Sequence, residues 1–228
     1  MFKSSDKEVN LKNSKDRDRF YNKFTEEQKI LFDSVKNNIF TFVEANAGCA
    51  KTSTTLSAMV DMLANGDIDK ILYIQKPSER SLSEGYLPGD LDEKENILWG
   101  AFYDAMLDLG ITPDMVSVLI STNQIVLTTD VSLRGVNLSN CGVCIDEGQN
   151  LDMHTLKLIF TRCHDNCHVV LLGDREQKDN HGNNEIFIDY GNYLAESSVG
   201  NKCVLTRNFR GKFSQLAENF RRNYIEKK

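Results

Sequence analysis

The feature that most constrains this chain is the segment formed by residues 45–52, which read ANAGCAKT. An apolar run precedes it at residues 39–43, and a segment of helical character follows it at residues 53–60. A strand, a loop of small residues, a Lys-Thr pair and a helix together form the context of a phosphate-binding P-loop. The backbone N–H groups of such a loop turn toward a phosphate chain, and the helix directs its positive end at the same charge. The segment therefore predicts a nucleoside triphosphate site.

The residues of this P-loop have distinct expected roles. Lys51 is expected to contact the β and γ phosphates, and the Thr52 hydroxyl is expected to bind Mg²⁺. The predicted nucleotide contacts within the loop and the first turn of the helix are Ala45, Asn46, Ala47, Gly48, Cys49, Ala50, Lys51, Thr52 and Ser53.

Gln28 is a further candidate for nucleotide contact. It lies on a predicted helix ahead of the first strand, and it forms a capping-box pattern with Thr25. An amide at this place can pair with the adenine edge, or it can simply cap the helix. Both interpretations remain open at the level of sequence.

The P-loop departs from its common pattern at both ends. Ala45 and Ala50 stand where the first and last glycines of the loop are usual. A methyl group there narrows the backbone angles and the space beside the phosphates, and a strained non-glycine residue costs about 1 kcal/mol or more. Taken alone, the segment also fits a Ser/Thr-rich helix start with an exposed lysine. A nucleotide site therefore needs partners elsewhere in the chain.

The first partner follows an apolar run at residues 143–145, which ends in Asp146 and Glu147. In P-loop enzymes, a carboxylate at the end of a neighbouring parallel strand reaches the Mg²⁺ ion, and an adjacent glutamate takes a proton from the attacking water. The spacing therefore predicts that Asp146 is the metal carboxylate and that Glu147 is the general base.

A third apolar run, residues 168–172, is followed by Asp174 and Gln177. Gln177 is placed to contact a γ phosphate or the attacking water, and Asp174 to link it to the Mg²⁺ side of the site. Ligands of parallel sheets bind outside the carboxyl ends of the strands. The three strand exits therefore predict one shared site.

The last strand, near residues 203–205, leads into Arg210 and then into a helix. An arginine at a strand exit is usually a surface charge, but in a triphosphatase it can neutralise the transition state, in its own site or in that of a neighbouring subunit. The final helix has an apolar face suited to docking on the domain or on another subunit. That face consists of Phe213, Leu216, Phe220 and Tyr224.

A zinc site is an alternative for residues 163–168, which read CHDNCH. Structural zinc normally joins two separated pairs of ligands. Here the four candidates crowd into six residues at a helix-to-strand turn. This spacing favours a simpler interpretation, in which Cys167 and His168 begin a strand.

Composition bounds the class of protein. No apolar run approaches the ~20 residues of a membrane span, and the first twenty residues lack the pattern of a secretory signal. The six cysteines form no disulfide framework, so we expect reduced thiols and a cytoplasmic protein.

Charge is distributed unevenly along the chain. Residues 1–24 carry 7 basic and 4 acidic groups, residues 205–228 carry 7 basic and 2 acidic groups, and the remaining residues carry 13 basic and 27 acidic groups. Basic ends can contact the phosphates of a nucleic acid, or they can be solvated tails.

With these residues assembled, the chain resembles the PhoH-like family of P-loop ATPases, which are related to the superfamily 1 helicases. The most specific match is the loop at residues 85–94, GYLPGDLDEK, followed by residues 103–105. Residues 134–135, residues 146–150 (DEGQN) and residues 173–177 also match in order. Compact members of the family occur in bacteriophages as well as in bacteria.

The resemblance covers about residues 24–210. Gln28 and residues 208–210 (NFR) are similar to the superfamily 1 helicases, whose corresponding glutamine contacts adenine and whose arginine reaches the γ phosphate. Gly148 departs from the family, which usually has alanine there.

The resemblance implies an α/β fold, a RecA-like, mostly parallel sheet flanked by helices. It also implies ATP and Mg²⁺ as ligands, Mg²⁺-dependent ATP hydrolysis, single-stranded nucleic acid as a partner with RNA favoured over DNA, and ring-like homo-oligomers. We expect a charged lead-in at residues 1–23, the ATPase domain at residues 24–211 and a terminal helix at residues 212–228. The chain is long enough for one such core, so movement along a strand would require self-assembly or another protein. The alternative is a nucleotide-gated binding module that orders the loop at residues 77–94 with little turnover.

Overall fold

The computed structural model describes residues 21–76, 99–129, 137–174 and 185–218, and in these ranges strands alternate with helices. The strands are β1 (Phe40–Ala45), β2 (Lys70–Gln75), β3 (Ile125–Thr128), β4 (Cys141–Asp146), β5 (His168–Gly173) and β6 (Gly200–Leu205). The α-helices are α1 (Glu26–Asn37), α2 (Lys51–Asn65), α3 (Gly100–Asp108), α4 (Pro113–Ser121), α5 (Met153–Phe160), α6 (Glu185–Ala195) and α7 (Lys212–Glu218).

The six strands form one sheet in the order β3-β2-β4-β5-β1-β6. Every pair of neighbours is parallel. The predicted α/β architecture is confirmed, and the mostly parallel sheet is fully parallel within the described residues. Strand β5 lies between β1 and β4, so the P-loop and Asp146 leave the sheet two strands apart at the same edge.

Alternating side chains of the strands build two hydrophobic cores. On one face, helices α1 to α4 cover a cluster that includes Leu31, Met59, Tyr73 and Phe102. On the other face, α5 and α6 cover a second cluster, which includes Phe42, Ile145, Leu156 and Phe187. Strands buried on both faces lack a polar alternation, which is why they read as continuous apolar runs in the sequence.

Capping residues in the sequence correctly mark the starts of α1 and α4. The predicted capping box is present, since Gln28 N donates to Thr25 Oγ1 at 3.4 Å and Thr25 N donates to Gln28 Oε1 at 3.0 Å. Thr112 caps α4 ahead of Pro113 at the first helical position. Helix α2 begins at Lys51, two residues earlier than the helical pattern predicted.

Several predictions concern residues outside the described ranges. These are the lead-in at residues 1–20, the loop at residues 77–94, the Arg-Gly pair at residues 134–135, Gln177, Phe220 and Tyr224. The other two apolar residues of the last helix are described. Phe213 is 87% exposed and Leu216 is 68% exposed, so neither docks on the described part of its own domain. Docking on a neighbouring subunit stays a prediction.

The interpretation of residues 163–168 as the start of a strand is confirmed for His168, which is the first residue of β5. Cys167 Sγ donates to Leu138 O at 3.2 Å, while His168 Nδ1 lies 3.0 Å from Val35 O and begins strand β5. Among the described residues, no group of three or more His, Cys, Asp or Glu side chains is arranged to hold a metal ion. All six cysteines of the chain are free thiols.

None of the helices in the described ranges is long and apolar enough to cross a membrane.

The start of β6 gives a prediction about packing. A Cβ atom on Gly200 would collide with the carbonyl oxygen of Leu194 and would lie 2.7 Å from Ala195 Cα at the end of α6. Both are backbone atoms, so the helix would have to move away from the strand. We expect Gly200→Ala to lower the free energy of unfolding by about 2 kcal/mol, measured by urea denaturation.

Gly100→Ala is the matched control, because a Cβ atom there meets open space at the first residue of α3. Its effect should stay within about 0.5 kcal/mol or be slightly stabilising. Equal effects of the two substitutions would contradict this packing of β6 against α6.

Candidate functional site

The P-loop joins the end of β1 to the start of α2 across residues 46–50. Gly48 has a φ of 76°, and Ala50 has a φ of 57° and a ψ of 33°. Both therefore lie in the left-handed region, which is needed to turn the chain sharply into the helix. The Lys51 side chain that follows is buried, with 8% exposed. The loop is thus a compact turn that leads directly into the first residue of α2.

Ala45 and Ala50, which stand where glycines are usual, differ in backbone conformation. Ala45 is the last residue of β1 and lies in ordinary strand backbone. Ala50 alone has a positive φ, and it ends the loop without a side-chain cap. An L-residue in the left-handed region costs roughly 1–2 kcal/mol, whereas glycine has no such cost. The expected strain is therefore found at Ala50 and not at Ala45.

A second loop, residues 206–210 at the exit of β6, braces the P-loop. Phe209 N donates to Gly48 O at 2.8 Å, and Asn208 Nδ2 donates to Ala47 O at 3.3 Å. This bracing loop is itself anchored to α1, because Thr206 N and Thr206 Oγ1 donate to the Glu27 carboxylate at 2.9 and 2.6 Å. These bonds lower the pKa of Glu27.

Arg210 lies at the end of this bracing loop. A Cβ atom on Gly48 would lie 3.0 Å from both Cγ and Cδ of Arg210, so the arginine stem passes directly over the loop. Its backbone N donates to Asn208 Oδ1 at 2.8 Å. The structure therefore brings Arg210 to the P-loop of its own chain. Any side chain larger than glycine at position 48 would meet both the positive φ and the arginine stem.

The Asp146 carboxylate is the meeting point of three elements. Thr52 Oγ1 of α2 donates to Asp146 Oδ2 at 2.8 Å, and Tyr73 OH of β2 donates to the same oxygen at 2.7 Å. Glu147 N donates to Asp146 Oδ1 at 2.9 Å. Burial and the Asp146 charge raise the pKa of Tyr73 well above its usual range, so the phenol stays protonated and donates. The carboxylate is 1% exposed and has a fixed orientation.

Glu147 leaves β4 in a left-handed conformation with a φ of 52°. Gln149 Nε2 donates to Glu147 Oε2 at 2.6 Å, and Gln149 Oε1 accepts from Asp174 N at 3.1 Å. Burial and the neighbouring Asp146 charge raise the pKa of Glu147, while Lys51 and the Gln149 hydrogen bond oppose the shift. Gln149 thus fixes the glutamate between the exits of β4 and β5.

Gly148 is explained by the packing beneath this turn. A Cβ atom there would lie 2.6 Å from Leu171 Cδ1 and 2.9 Å from Phe187 Cε2. A Cβ atom on Gly173 at the end of β5 would also collide with the Phe187 ring. The Leu171 side chain and the Phe187 ring of α6 therefore occupy the space that an alanine methyl would need at position 148.

The structure shows the hydrogen bonds that the Gln28 side chain makes. Besides the capping contact of its Oε1 atom, Gln28 Nε2 donates to Thr54 Oγ1 at 3.2 Å, and the residue is 6% exposed. One amide hydrogen remains to be used, because Nε2 carries two. The capping role is present. A contact with adenine stays a prediction.

The structure therefore brings together Lys51, Thr52, Asp146, Glu147 and Arg210 at one edge of the sheet. Gln177 lies outside the described residues. Sequence reasoning missed Tyr73, Gln149 in its bridging role, and the brace formed by Glu27 and Asn208. The signal for Tyr73 was a polar hydroxyl in an otherwise apolar strand, and the signal for the brace was a strand exit rich in polar residues.

The strain at Ala50 gives a testable prediction. Ala50→Gly should raise the free energy of unfolding by up to about 1 kcal/mol, because relief of the left-handed strain exceeds the added freedom of the unfolded chain. Ala47→Gly is the matched control, since Ala47 has no positive φ, and it should lower that free energy by roughly 0.5–1 kcal/mol. Urea denaturation measures both. Destabilisation of equal size in the two variants would contradict the strain at position 50.

Known proteins of one family are similar in sequence to this chain. A family model described as PhoH-like protein matches residues 22–205. The PhoH-like protein of Bacillus subtilis strain 168 is 31% identical over 152 residues, which is 67% of this chain and 47% of the relative. The PhoH-like protein of Synechocystis is 28% identical over 152 residues, 67% of this chain and 46% of the relative. Protein PhoH of Escherichia coli K12 is 26% identical over 155 residues, 68% of this chain and 44% of the relative.

The chain matches less than half the length of each of these relatives. The family match at residues 22–205 contains the parallel sheet, the P-loop after β1, and the carboxylates of Asp146 and Glu147 at the end of β4. The family model covers most of the chain, so the protein belongs to the PhoH-like family and has an α/β fold of the P-loop NTPase type.

Proposed function

We propose that this protein hydrolyses ATP in a Mg²⁺-dependent reaction. The observation that carries the proposal is the hydrogen bond between Thr52 Oγ1 and Asp146 Oδ2 at 2.8 Å, with Glu147 next in the chain. It places a hydroxyl, a carboxylate and a second, separately held carboxylate beside a loop shaped for phosphates. A protein that only bound ATP would not need a half-buried glutamate that Gln149 holds in one orientation.

The phosphate site rests on Lys51 and the start of α2. None of the ion pairs among the described residues involves Lys51, although its side chain is largely buried. A buried ammonium group is costly unless negative charge lies near it, and the Glu147 carboxylate supplies part of that charge. A triphosphate would provide that charge, and the backbone N–H groups at the helix start would share it.

The residues present fit a Mg²⁺ ion. Mg²⁺ binds oxygen ligands, keeps several waters and is usually held by one or two protein groups together with substrate phosphates. Thr52 Oγ1 and Asp146 supply such oxygens. When bound, the ion would neutralise negative charge on the phosphate oxygens.

Glu147 is the proposed general base. A base works best when its pKa lies nearer the working pH than that of a free carboxylate, and burial moves Glu147 in that direction. Gln149 holds one carboxylate oxygen, which leaves the other to accept a proton from water. Arg210 is the proposed cation that neutralises charge developing on the transferred phosphoryl group. Gln177 is the proposed contact to the γ phosphate.

We further propose single-stranded RNA as the partner, with DNA less favoured, and a ring-like homo-oligomer as the working assembly. The basic groups near both ends of the chain and the exposed Phe213 and Leu216 support a surface that meets other macromolecules. A cytoplasmic location is proposed because all six cysteines are free thiols.

A second candidate function is a nucleotide-gated binding module with little turnover. The Ala50 replacement favours it, because a strained residue beside the phosphates puts turnover in doubt. The intact Glu147 and its hydrogen bond to Gln149 favour hydrolysis. Turnover separates the two functions.

The decisive variant is Glu147→Gln, which keeps the shape of the side chain and removes its basicity. We expect phosphate release from Mg²⁺-ATP to fall at least about a hundredfold, while ATP affinity stays within about threefold of the wild type. Lys51→Ala is the companion control and should weaken ATP binding itself. Wild-type turnover that Glu147→Gln leaves unchanged would contradict the role of Glu147. Tight ATP binding without turnover would favour the binding module.

The proposed partner is tested with polymers of equal length. Single-stranded RNA should increase phosphate release more than single-stranded DNA, and this increase should decline as salt rises, because phosphate contacts release counterions. The comparison is made at constant ATP with Lys51→Ala as the background. Equal rates with RNA, with DNA and without polymer would contradict a nucleic-acid partner.

A further inference from the structure

Tyr73 is a buried hydroxyl that the proposed chemistry does not yet use. Its Cα pairs with that of Cys144 between β2 and β4. Asp146 is two residues further along β4, so both side chains lie on the same face of the sheet, the face covered by α2. The Tyr73 side chain reaches diagonally from β2 to Asp146 on β4, and its hydroxyl donates to Asp146 Oδ2 at 2.7 Å.

We propose that Tyr73 is a positioning residue for the divalent cation of the nucleotide site, because its hydroxyl holds the Asp146 carboxylate in the orientation that the cation requires. This inference rests on the proposed function. Asp146 Oδ2 accepts from Tyr73 and Thr52, and Asp146 Oδ1 accepts from Glu147 N. Thr52 is the expected second ligand of the cation and Glu147 is the expected base. Tyr73 is thus the donor that has no other task in the reaction.

The phenol is itself rigidly held. Tyr73 is fully buried, and its ring centroid lies 5.1 Å from that of Phe102 and 6.2 Å from that of Trp99. Packing of this kind leaves the hydroxyl a single direction, which is toward Asp146. Partners that orient a metal ligand typically change metal affinity by 10–100-fold when they are removed. Helix α3, which carries Phe102, is therefore connected to the cation site through one side chain.

The test measures binding of Mn²⁺, used as a probe for Mg²⁺, by electron paramagnetic resonance in the presence of a non-hydrolysable ATP analogue. Tyr73→Phe keeps the ring and removes the hydroxyl, and we expect about tenfold weaker Mn²⁺ binding. Affinity for the analogue without metal, measured in EDTA, should be unchanged. Tyr103→Phe is the matched control, because Tyr103 also contacts Phe102, with ring centroids 5.6 Å apart, and should bind Mn²⁺ as the wild type does.

Asp146→Asn serves as the reference for a damaged cation site. Wild-type Mn²⁺ affinity in Tyr73→Phe, together with weakened binding in Asp146→Asn, would overturn the role of Tyr73 and leave the proposed function intact. Loss of analogue binding in EDTA would show that Tyr73 is only structural and would also overturn it. A wild-type protein that binds neither analogue nor Mn²⁺ would overturn the proposed function and this inference together.

A second measurement needs no change at Tyr73. With ¹³C at Cζ of every tyrosine, and with resonances assigned by Tyr→Phe substitution at the other positions, the Tyr73 signal should move when Mg²⁺ joins the bound analogue. A Tyr73 signal that stays in place would contradict the coupling between its hydroxyl and the cation site.

Discussion

The hydrogen bond between the Thr52 hydroxyl and the Asp146 carboxylate is the contact on which the rest of this site depends. It joins the first turn of α2 to the end of β4, although β5 separates β4 from the strand that leads into the P-loop. A parallel sheet brings strand exits to one edge, but their side chains meet only where loops turn toward each other. Here both loops do so, and both use a non-glycine residue with a positive φ, Ala50 on one side and Glu147 on the other.

These strained turns persist because their surroundings hold them. Asn208 and Phe209 bond to the carbonyl groups of the P-loop, and Glu27 anchors their segment to α1. Each such bond contributes about 1 kcal/mol, which is comparable to the strain of one left-handed alanine. Beneath Glu147, the Phe187 ring fills the space left by Gly148 and Gly173. The site is therefore held rigid by contacts from the exit of β6 and from α6. Neither element belongs to the motifs from which the site was predicted.

The fold was largely predictable because the four inner strands, β2, β4, β5 and β1, are buried on both faces and read as apolar runs bounded by polar residues. The helix after the loop at residues 46–50, the ends of β4 and β5 and the capping box followed from local spacing and are present in the structure. The partners Tyr73, Gln149 and Asn208 were not predictable in their roles, since each acts through a contact set by strand order or by a loop conformation. The Cys and His residues at 163–168 were interpreted from their spacing and not from their chemical type alone, because structural zinc joins separated pairs of ligands.

The most direct test of the account is a crystal structure of the protein with Mg²⁺ and a non-hydrolysable ATP analogue. The account predicts the γ phosphate against Lys51, the cation between Thr52 Oγ1 and the Asp146 carboxylate, and Glu147 facing the γ phosphate across a water molecule. A nucleotide bound away from the P-loop, or a cation with neither Thr52 nor Asp146 in its coordination shell, would contradict it.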